Sequence, residues 1–277
     1  MAYEDNYVRA AGVKLRYWSA GLQGPPLVLI HGLGASAEIW KENISALSRS
    51  FRVFAPDLPG FGRSEKPDAE YSPRFLLDSV LDFMAAAGLE RASLAGLSLG
   101  GGIALMCAIK HPEKVDKLVL VGSAGLGAEV GLPLRLAALL FPGGFPKIPR
   151  TVLARFMKRL VYDPSAVTGE LVDTYVEYLS DPGCRTACSR VLSATVTFRG
   201  ARPEVLNPIL EKLDAVRRPT LIIWGRQDRV LPLRHALAAA DRIPAVRLQI
   251  FENCGHMPNI EHPADFNRAV LSYLRFL

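Results

Sequence analysis

The chain has 277 residues, enough for one large α/β domain or two small ones with a sizeable buried core. Its 49% hydrophobic and 22% charged residues are ordinary for a globular protein. The net charge of +6 is scattered, with no basic stripe interleaved with aromatics, so nothing suggests a nucleic-acid partner. The four cysteines, Cys107, Cys184, Cys188 and Cys254, show neither zinc-ligand spacing nor a disulfide framework. Free thiols are expected, with Cys184 and Cys188 able to share a helix face, and no metal or cofactor is expected. Met1-Ala2-Tyr3-Glu4-Asp5 is neither basic nor followed by an apolar core, and no apolar run reaches about 18 residues. No leader, no stable membrane insertion and a cytoplasmic location are therefore expected. A homodimer stays open.

Val13–Trp18 alternates polar and apolar residues and reads as a half-exposed strand. Gly21-Leu22-Gln23-Gly24-Pro25-Pro26 is a turn. Leu27–Ile30 is a short apolar run suited to a strand buried on both faces, and it ends at His31-Gly32-Leu33-Gly34. Ser36 is placed to cap a helix starting near Ala37. A strand over Phe51–Pro56 leads into the loop Asp57-Leu58-Pro59-Gly60-Phe61-Gly62-Arg63-Ser64. Ser72-Pro73 reads as an N-cap with proline at the first helical position, opening a helix over Arg74–Ala87. A strand over Ala92–Ala95, a helix over Leu99–Lys110 and a strand over Val115–Val121 follow.

From Leu126 to Asp214 the alternation stops and helical patterns take over, at Leu132–Phe141, Arg150–Val161, Ser165–Leu179 and Cys184–Phe198. It then resumes with a strand at Thr220–Trp224, a helix at Leu233–Arg242, a strand at Val246–Phe251 and a closing helix at Pro263–Leu274. The pattern predicts an α/β core domain over 1–125 and 215–277. Its sheet is mostly parallel with helices on both faces, and a helical cap over 126–214 rests on the sheet's C-terminal edge. Leu132–Phe141 is the most apolar part of that insert. It can serve as cap core, as a wall of the acyl site, or as a lid that senses lipid aggregates.

Gly96-Leu97-Ser98-Leu99-Gly100 has the G-x-S-x-G spacing of a nucleophile elbow. A strand that turns straight into a helix brings the residues two before and two after the bend together. Glycine is needed at both places. Ser98 would then stand in a strained conformation with its hydroxyl pushed above the sheet. A serine hydroxyl is a weak nucleophile and needs a base, which in turn needs an orienting group. His256 follows the strand Val246–Phe251 and is the leading base. His111, His235 and His262 are worse placed, at a helix end, inside a helix and before one. Asp228 is the only carboxylate in the loop after Thr220–Trp224. The rival position after Val115–Val121 holds Gly122-Ser123-Ala124, with no acid. The oxyanion of a tetrahedral intermediate needs two donors. The N–H of Leu99, at the helix start, is one. The N–H of Leu33 is the other, with Gly32 and Gly34 letting that backbone approach the substrate. Met257 completes the candidate substrate-binding set, and His31 is expected to anchor its loop.

Taken together, His31-Gly32-Leu33-Gly34, the Asp57–Ser64 loop, the elbow, Trp224-Gly225-Arg226-Gln227-Asp228 and Gly255-His256 resemble the α/β-hydrolase superfamily over nearly all of the chain outside the insert. The order Ser98, Asp228, His256 matches that superfamily. Ser98 separates the chain from the dehalogenases and epoxide hydrolases of this fold, which carry aspartate there. The nearest subgroups are carboxylesterases and the carbon–carbon bond hydrolases of aromatic meta-cleavage products. The latter tend to carry asparagine before the nucleophile, tryptophan after the histidine and a cap arginine for the substrate carboxylate. Here stand Leu97, Met257 and, around Leu171–Leu179, Tyr175 and Glu177, with Arg190 further on. The resemblance therefore implies a serine carboxylesterase acting on a small-molecule ester through an acyl-enzyme. Carbon–carbon hydrolysis, a non-enzymatic ligand sensor on the same fold, and acyl transfer to a non-water acceptor are the alternatives.

Overall fold

The computed structural model describes residues 3–275, so Met1 and Ala2 of the N-terminal segment lie outside the described residues. The first strand, β1 (Glu4–Ala10), pairs antiparallel with β2 (Val13–Ala20) through a two-residue turn, Ala11-Gly12, with both residues at positive φ. Sequence patterning misses β1. It is an outer strand with mostly exposed or half-buried residues, so it carries little apolar periodicity.

Next come β3 (Pro26–Ile30), α1 (Lys41–Leu47), β4 (Arg52–Pro56), α2 (Pro73–Ala86), β5 (Ala92–Leu97), α3 (Leu99–Lys110) and β6 (Val115–Val121). The expected cap of α2 is present: Ser72 Oγ accepts from the Phe75 N–H at 3.2 Å, with Pro73 behind it. The helix expected at Ser36 differs. Ala37–Trp40 is a single 3-10 turn, and Ser36 Oγ donates to Glu38 Oε2 instead of capping. The Ala37 N–H goes to Asp57 Oδ1 at 2.7 Å, an ionisable acceptor that outcompetes a hydroxyl.

Between β6 and the next long strand lie α4 (Leu132–Leu140), α5 (Arg150–Leu160), α6 (Gly169–Ser180), α7 (Pro182–Thr195), the small hairpin β7 (Val196–Thr197) and β8 (Gly200–Ala201), and α8 (Pro203–Leu210). The single helix expected over 165–179 is a 3-10 turn followed by α6, because Thr168 caps a fresh start at Leu171. α7 begins two residues early, where Asp181 Oδ1 accepts from Gly183 N at 2.7 Å. The chain closes with β9 (Thr220–Gly225), α9 (Arg234–Ala240), β10 (Val246–Phe251), α10 (Pro258–Glu261) and α11 (Pro263–Arg275).

Among the described residues the main sheet has eight strands in the order β1-β2-β4-β3-β5-β6-β9-β10, parallel from β4 onward. β5 and β9 are buried along their whole length, which explains their unbroken apolar runs. The chain runs from β3 outward to β4, then returns across β3 to β5. Ile30 of β3 pairs with Gly96 of β5. The strand order reverses here, so the loops after β3 and β5 face each other across a crevice at the C-terminal edge. The fold thus brings His31-Gly32-Leu33-Gly34 beside Ser98.

One expectation for the helical insert fails. Of α4 only Ala138 is buried, while Leu132, Leu136, Leu139 and Leu140 are exposed. Its apolar sequence is not cap core.

Candidate active site

Ser98 sits at φ 54°, ψ −114°, a conformation that L-residues avoid. The bend leaves no room on either side. A Cβ on Gly96 would lie 2.2 Å from the Gly100 carbonyl oxygen. One on Gly100 would lie 2.2 Å from that of Ile30. The strain is held by main-chain bonds: Ser98 N donates to Val121 O at 2.9 Å, and its own oxygen accepts from Gly102 N and Ala124 N. Among the described residues nothing accepts the Leu33 or Leu99 N–H groups. The latter is the first orphan donor of α3.

His256 and Asp228 meet as expected. Asp228 Oδ2 is 2.7 Å from His256 Nδ1, and both side chains are buried. The other carboxylate oxygen accepts from the N–H groups of Val230 (2.7 Å) and Leu231 (2.9 Å), which fixes its plane. The imidazole lies against Gly122, whose Cβ position is 3.2 Å from Nδ1; a side chain there would displace the ring. Among the described residues no hydrogen bond joins Ser98 Oγ to His256. Such bonds are often long or poorly aligned before substrate binds.

The loops carrying the acid and the histidine are laced together. Gln227 N donates to Cys254 O and Gln227 Oε1 accepts from Cys254 N. A Cβ on Gly225 would fall 1.9 Å from Gly255 O. Glu261 is a residue that sequence reasoning missed. Its carboxylate accepts from the N–H groups of Gly255, Met257 and Tyr162, at 2.6–3.1 Å, so it shapes the turn that presents His256. Its only sequence signal is an acid five positions after the histidine, which is too weak to single out. The end of α5 joins the same turn, through His256 N to Leu160 O at 2.7 Å.

The remaining histidines are engaged elsewhere: His235 with Glu129, His262 with Asn253 O, and His111 near Glu113. His31 anchors its loop. Nδ1 is 2.7 Å from Gly32 O, and Nε2 accepts from Leu58 N at 3.0 Å. Burial pushes this ring down to about 4, so it is neutral and no base. The four cysteines are free and buried, with Cys184 and Cys188 four residues apart on α7. No cluster of three or more His, Cys, Asp or Glu among the described residues is placed to hold a metal.

Beneath the oxyanion loop lies a buried charge cluster. The Arg16 guanidinium meets Asp5, Glu38 and Asp57 at 2.7, 2.9 and 3.2 Å. Tyr178 of α6 donates to Glu38 at 2.8 Å, tying the helical segment to it. Burial raises Asp57 to about 6, although Arg16 opposes the rise. These shifts set a pH dependence. Below the ordinary histidine value of 6.5 the unfolded chain takes up a proton that folded His31 refuses until about 4. Stability from this group therefore falls as pH drops through that window, by on the order of 3 kcal/mol in full. Asp57 acts oppositely between 3.8 and about 6, where only the folded state stays protonated. His31→Gln isolates the first effect. In urea unfolding, wild type should lose on the order of 3 kcal/mol relative to the variant between about pH 7 and about pH 4. A pH-independent difference would rule out a buried neutral His31.

Ser98 opens into a cavity of about 120 Å³ between the sheet edge and the helical segment. Leu33, Leu99, Val130, Leu134, Leu192 and Leu206 are among its walls, and Ser98 and Thr195 are its only polar side chains. Gly32, Gly34 and Met257 are not part of that wall. Met257 is buried, its N–H spent on Glu261. Gly34, at φ 70°, faces Cys188 at 3.5 Å, while Gly32 stands 3.4 Å from Ser98 Cβ.

The family model described as alpha/beta hydrolase fold matches residues 25–263. The chain is 35% identical over 277 residues to the 2-hydroxy-6-oxo-6-(2'-aminophenyl)hexa-2,4-dienoic acid hydrolase of Metapseudomonas resinovorans, covering 99% of this chain and 91% of that protein. It is 35% identical over 272 residues to the 2-hydroxymuconate semialdehyde hydrolase of Pseudomonas sp. strain CF600, covering 96% and 92%. A solved meta-cleavage product hydrolase from Pseudomonas fluorescens IP01 superposes with TM-score 0.83 at 32% identity, covering 97% of each chain.

These relatives are named for a hexadienoic acid, 2-hydroxymuconate semialdehyde and a meta-cleavage product, which overturns the carboxylesterase expectation. The structure shows why the sequence argument for an ester misled. Leu97, Met257 and Tyr175 are not cavity-wall residues; Leu97 and Met257 are buried in the core. Their identities reflect packing and carry little information about substrate. From its Ser98 elbow to its histidine turn, this chain is a hydrolase that belongs to the α/β-hydrolase family.

Proposed function

We propose that the protein hydrolyses the carbon–carbon bond next to the 6-oxo group of a 2-hydroxy-6-oxohexa-2,4-dienoate, the segment 126–214 serving as a cap over the site. The observation that carries this reading is the apolar cavity ending on Ser98, in a chain that matches dienoate hydrolases along almost its full length. A cavity of this size, without charged walls, suits one ring or a short alkyl group on the 6-oxo carbon; a cavity of about 150 Å³ is known to take benzene.

His256 takes the Ser98 proton as the oxygen attacks the 6-oxo carbon, and the Leu33 and Leu99 N–H groups hold the oxyanion. The 2-hydroxyl proton having first moved to carbon 5, giving the 2,6-dioxo-3-enoate tautomer, the bond between carbons 5 and 6 then breaks, its electron pair passes through the 3,4 double bond to the 2-oxo oxygen, and that oxygen takes up the proton held by His256. Water activated by His256 releases the acid from Ser98, and Asp228 holds the imidazole in place throughout. The test is incubation with 2-hydroxy-6-oxo-6-phenylhexa-2,4-dienoate. Decay of its visible absorbance should accompany equimolar benzoate and 2-hydroxypenta-2,4-dienoate. Unchanged substrate, with the 6-methyl analogue equally inert, would overturn the proposal.

A further inference from the structure

α4 turns four of its five leucines toward water. Leu132, Leu136, Leu139 and Leu140 stand at i, i+4, i+7 and i+8, on one helix face. Leu139 is 58% and Leu140 62% exposed. Phe141 at the helix end is exposed too, and so is Phe198 at the tip of the β7–β8 hairpin. Arg135 ties the tip to the helix: its guanidinium lies 5.1 Å from the centre of the Phe198 ring and its Nε donates to Phe198 O. Single exposed leucines are ordinary, but a contiguous set of six large apolar side chains marks a surface that something covers.

The charge pattern identifies the occupant. Neither α4 nor the β7–β8 hairpin carries an acidic residue, Arg135 stands on the helix, and the last acid before it in the chain is Glu129. Arg199 stands beside Phe198 at the hairpin tip. Glu129 itself is taken by Arg234 and His235. A second copy of this face would bring cations against cations. An apolar stripe flanked by cations instead matches the boundary of an anionic bilayer, where leucines enter the acyl region and basic side chains meet headgroups. α4 is nine residues long, about 14 Å, which suits lying in the interface and is far too short to span it.

We propose that α4 and the β7–β8 tip seat the protein on an anionic lipid surface. The inner side of the same segment supports this arrangement. Leu134 of α4 and Val130 just before it line the cavity that ends at Ser98. A lipophilic molecule dissolved in the bilayer would then lie next to its binding cavity, with only this helix between.

The test is co-sedimentation of the full chain with vesicles of phosphatidylcholine alone and of phosphatidylcholine mixed with phosphatidylglycerol. Binding should be at least about tenfold tighter to the mixed vesicles and should weaken as salt screens the headgroups. The triple variant Leu136→Ser, Leu139→Ser, Leu140→Ser changes exposed positions only, so its melting transition should match wild type while vesicle binding falls more than about tenfold. Equal partition to both vesicles would overturn the proposal. So would binding untouched by the triple variant, or a wild-type dimer in solution that the variant dissociates. The readout is binding, so its outcome is independent of which bond the enzyme cleaves.

Discussion

Ser98→Ala should lower dienoate turnover by about 10⁴- to 10⁶-fold with the melting transition unchanged within a few degrees. On the proposed mechanism the substitution removes the oxygen that forms the acyl-enzyme. It leaves the main chain at φ 54° held by the bonds to Val121, Gly102 and Ala124, none of which uses the hydroxyl. Alanine adopts this conformation at a cost similar to serine, so the elbow should persist. The Leu33 and Leu99 donors and the apolar cavity also persist, and substrate should still bind with near-normal affinity. The measurement is single-turnover absorbance decay alongside a binding titration. Substantial retained turnover would refute Ser98 as nucleophile. Loss of binding together with turnover would point to a collapsed elbow instead.

Asp228→Asn should lower kcat by about 10⁴-fold while barely affecting stability. The reason lies in how the carboxylate is held. Oδ1 already accepts two backbone N–H groups, from Val230 and Leu231. An asparagine must keep its oxygen there, since an NH₂ group facing two donors would leave all of them unpaired in a buried site. Its NH₂ then faces His256 Nδ1 and donates to it, which puts the ring proton on Nε2. A ring protonated at Nε2 cannot accept the proton from Ser98. The loss should therefore fall on kcat and leave KM nearly intact. A rate close to wild type would move the acid role elsewhere. The loop after β6 offers Gly122-Ser123-Ala124 and no carboxylate to take it.

The legible parts of this chain share a physical cause. Gly96, Ser98 and Gly100 announce the elbow because the bend lies within five consecutive residues, and the 2.2 Å approach of Gly96 to the Gly100 oxygen is local in this way, while Gly100 is also pressed by Ile30 of β3. Ser72 and Pro73 open α2 for a similarly local reason. β6, α3 and β10 match their sequence-based bounds, since a mostly buried strand, a small-residue helix and an alternating strand leave unambiguous patterns. β1 was invisible because an outer strand has no apolar face to display. Glu261 and the Arg16 cluster were invisible because their partners lie far away in sequence: Tyr162 for the first, Asp57 and Tyr178 for the network around the second.

By itself the sequence determined the fold class and the candidates Ser98, Asp228 and His256, because each follows a strand legible in the local pattern, buried throughout for β5 and β9 and alternating for β10. Only the tertiary structure decided what surrounds them. It showed Leu97 and Met257 packed into the core, the cavity walled by the helical segment on one side and the sheet edge on the other, and Leu132, Leu136, Leu139 and Leu140 of α4 facing water. Local sequence encodes how a residue bends or pairs with near neighbours. Whether an apolar side chain points into core, cavity or solvent depends on which distant elements pack against it, and leucine looks the same in all three.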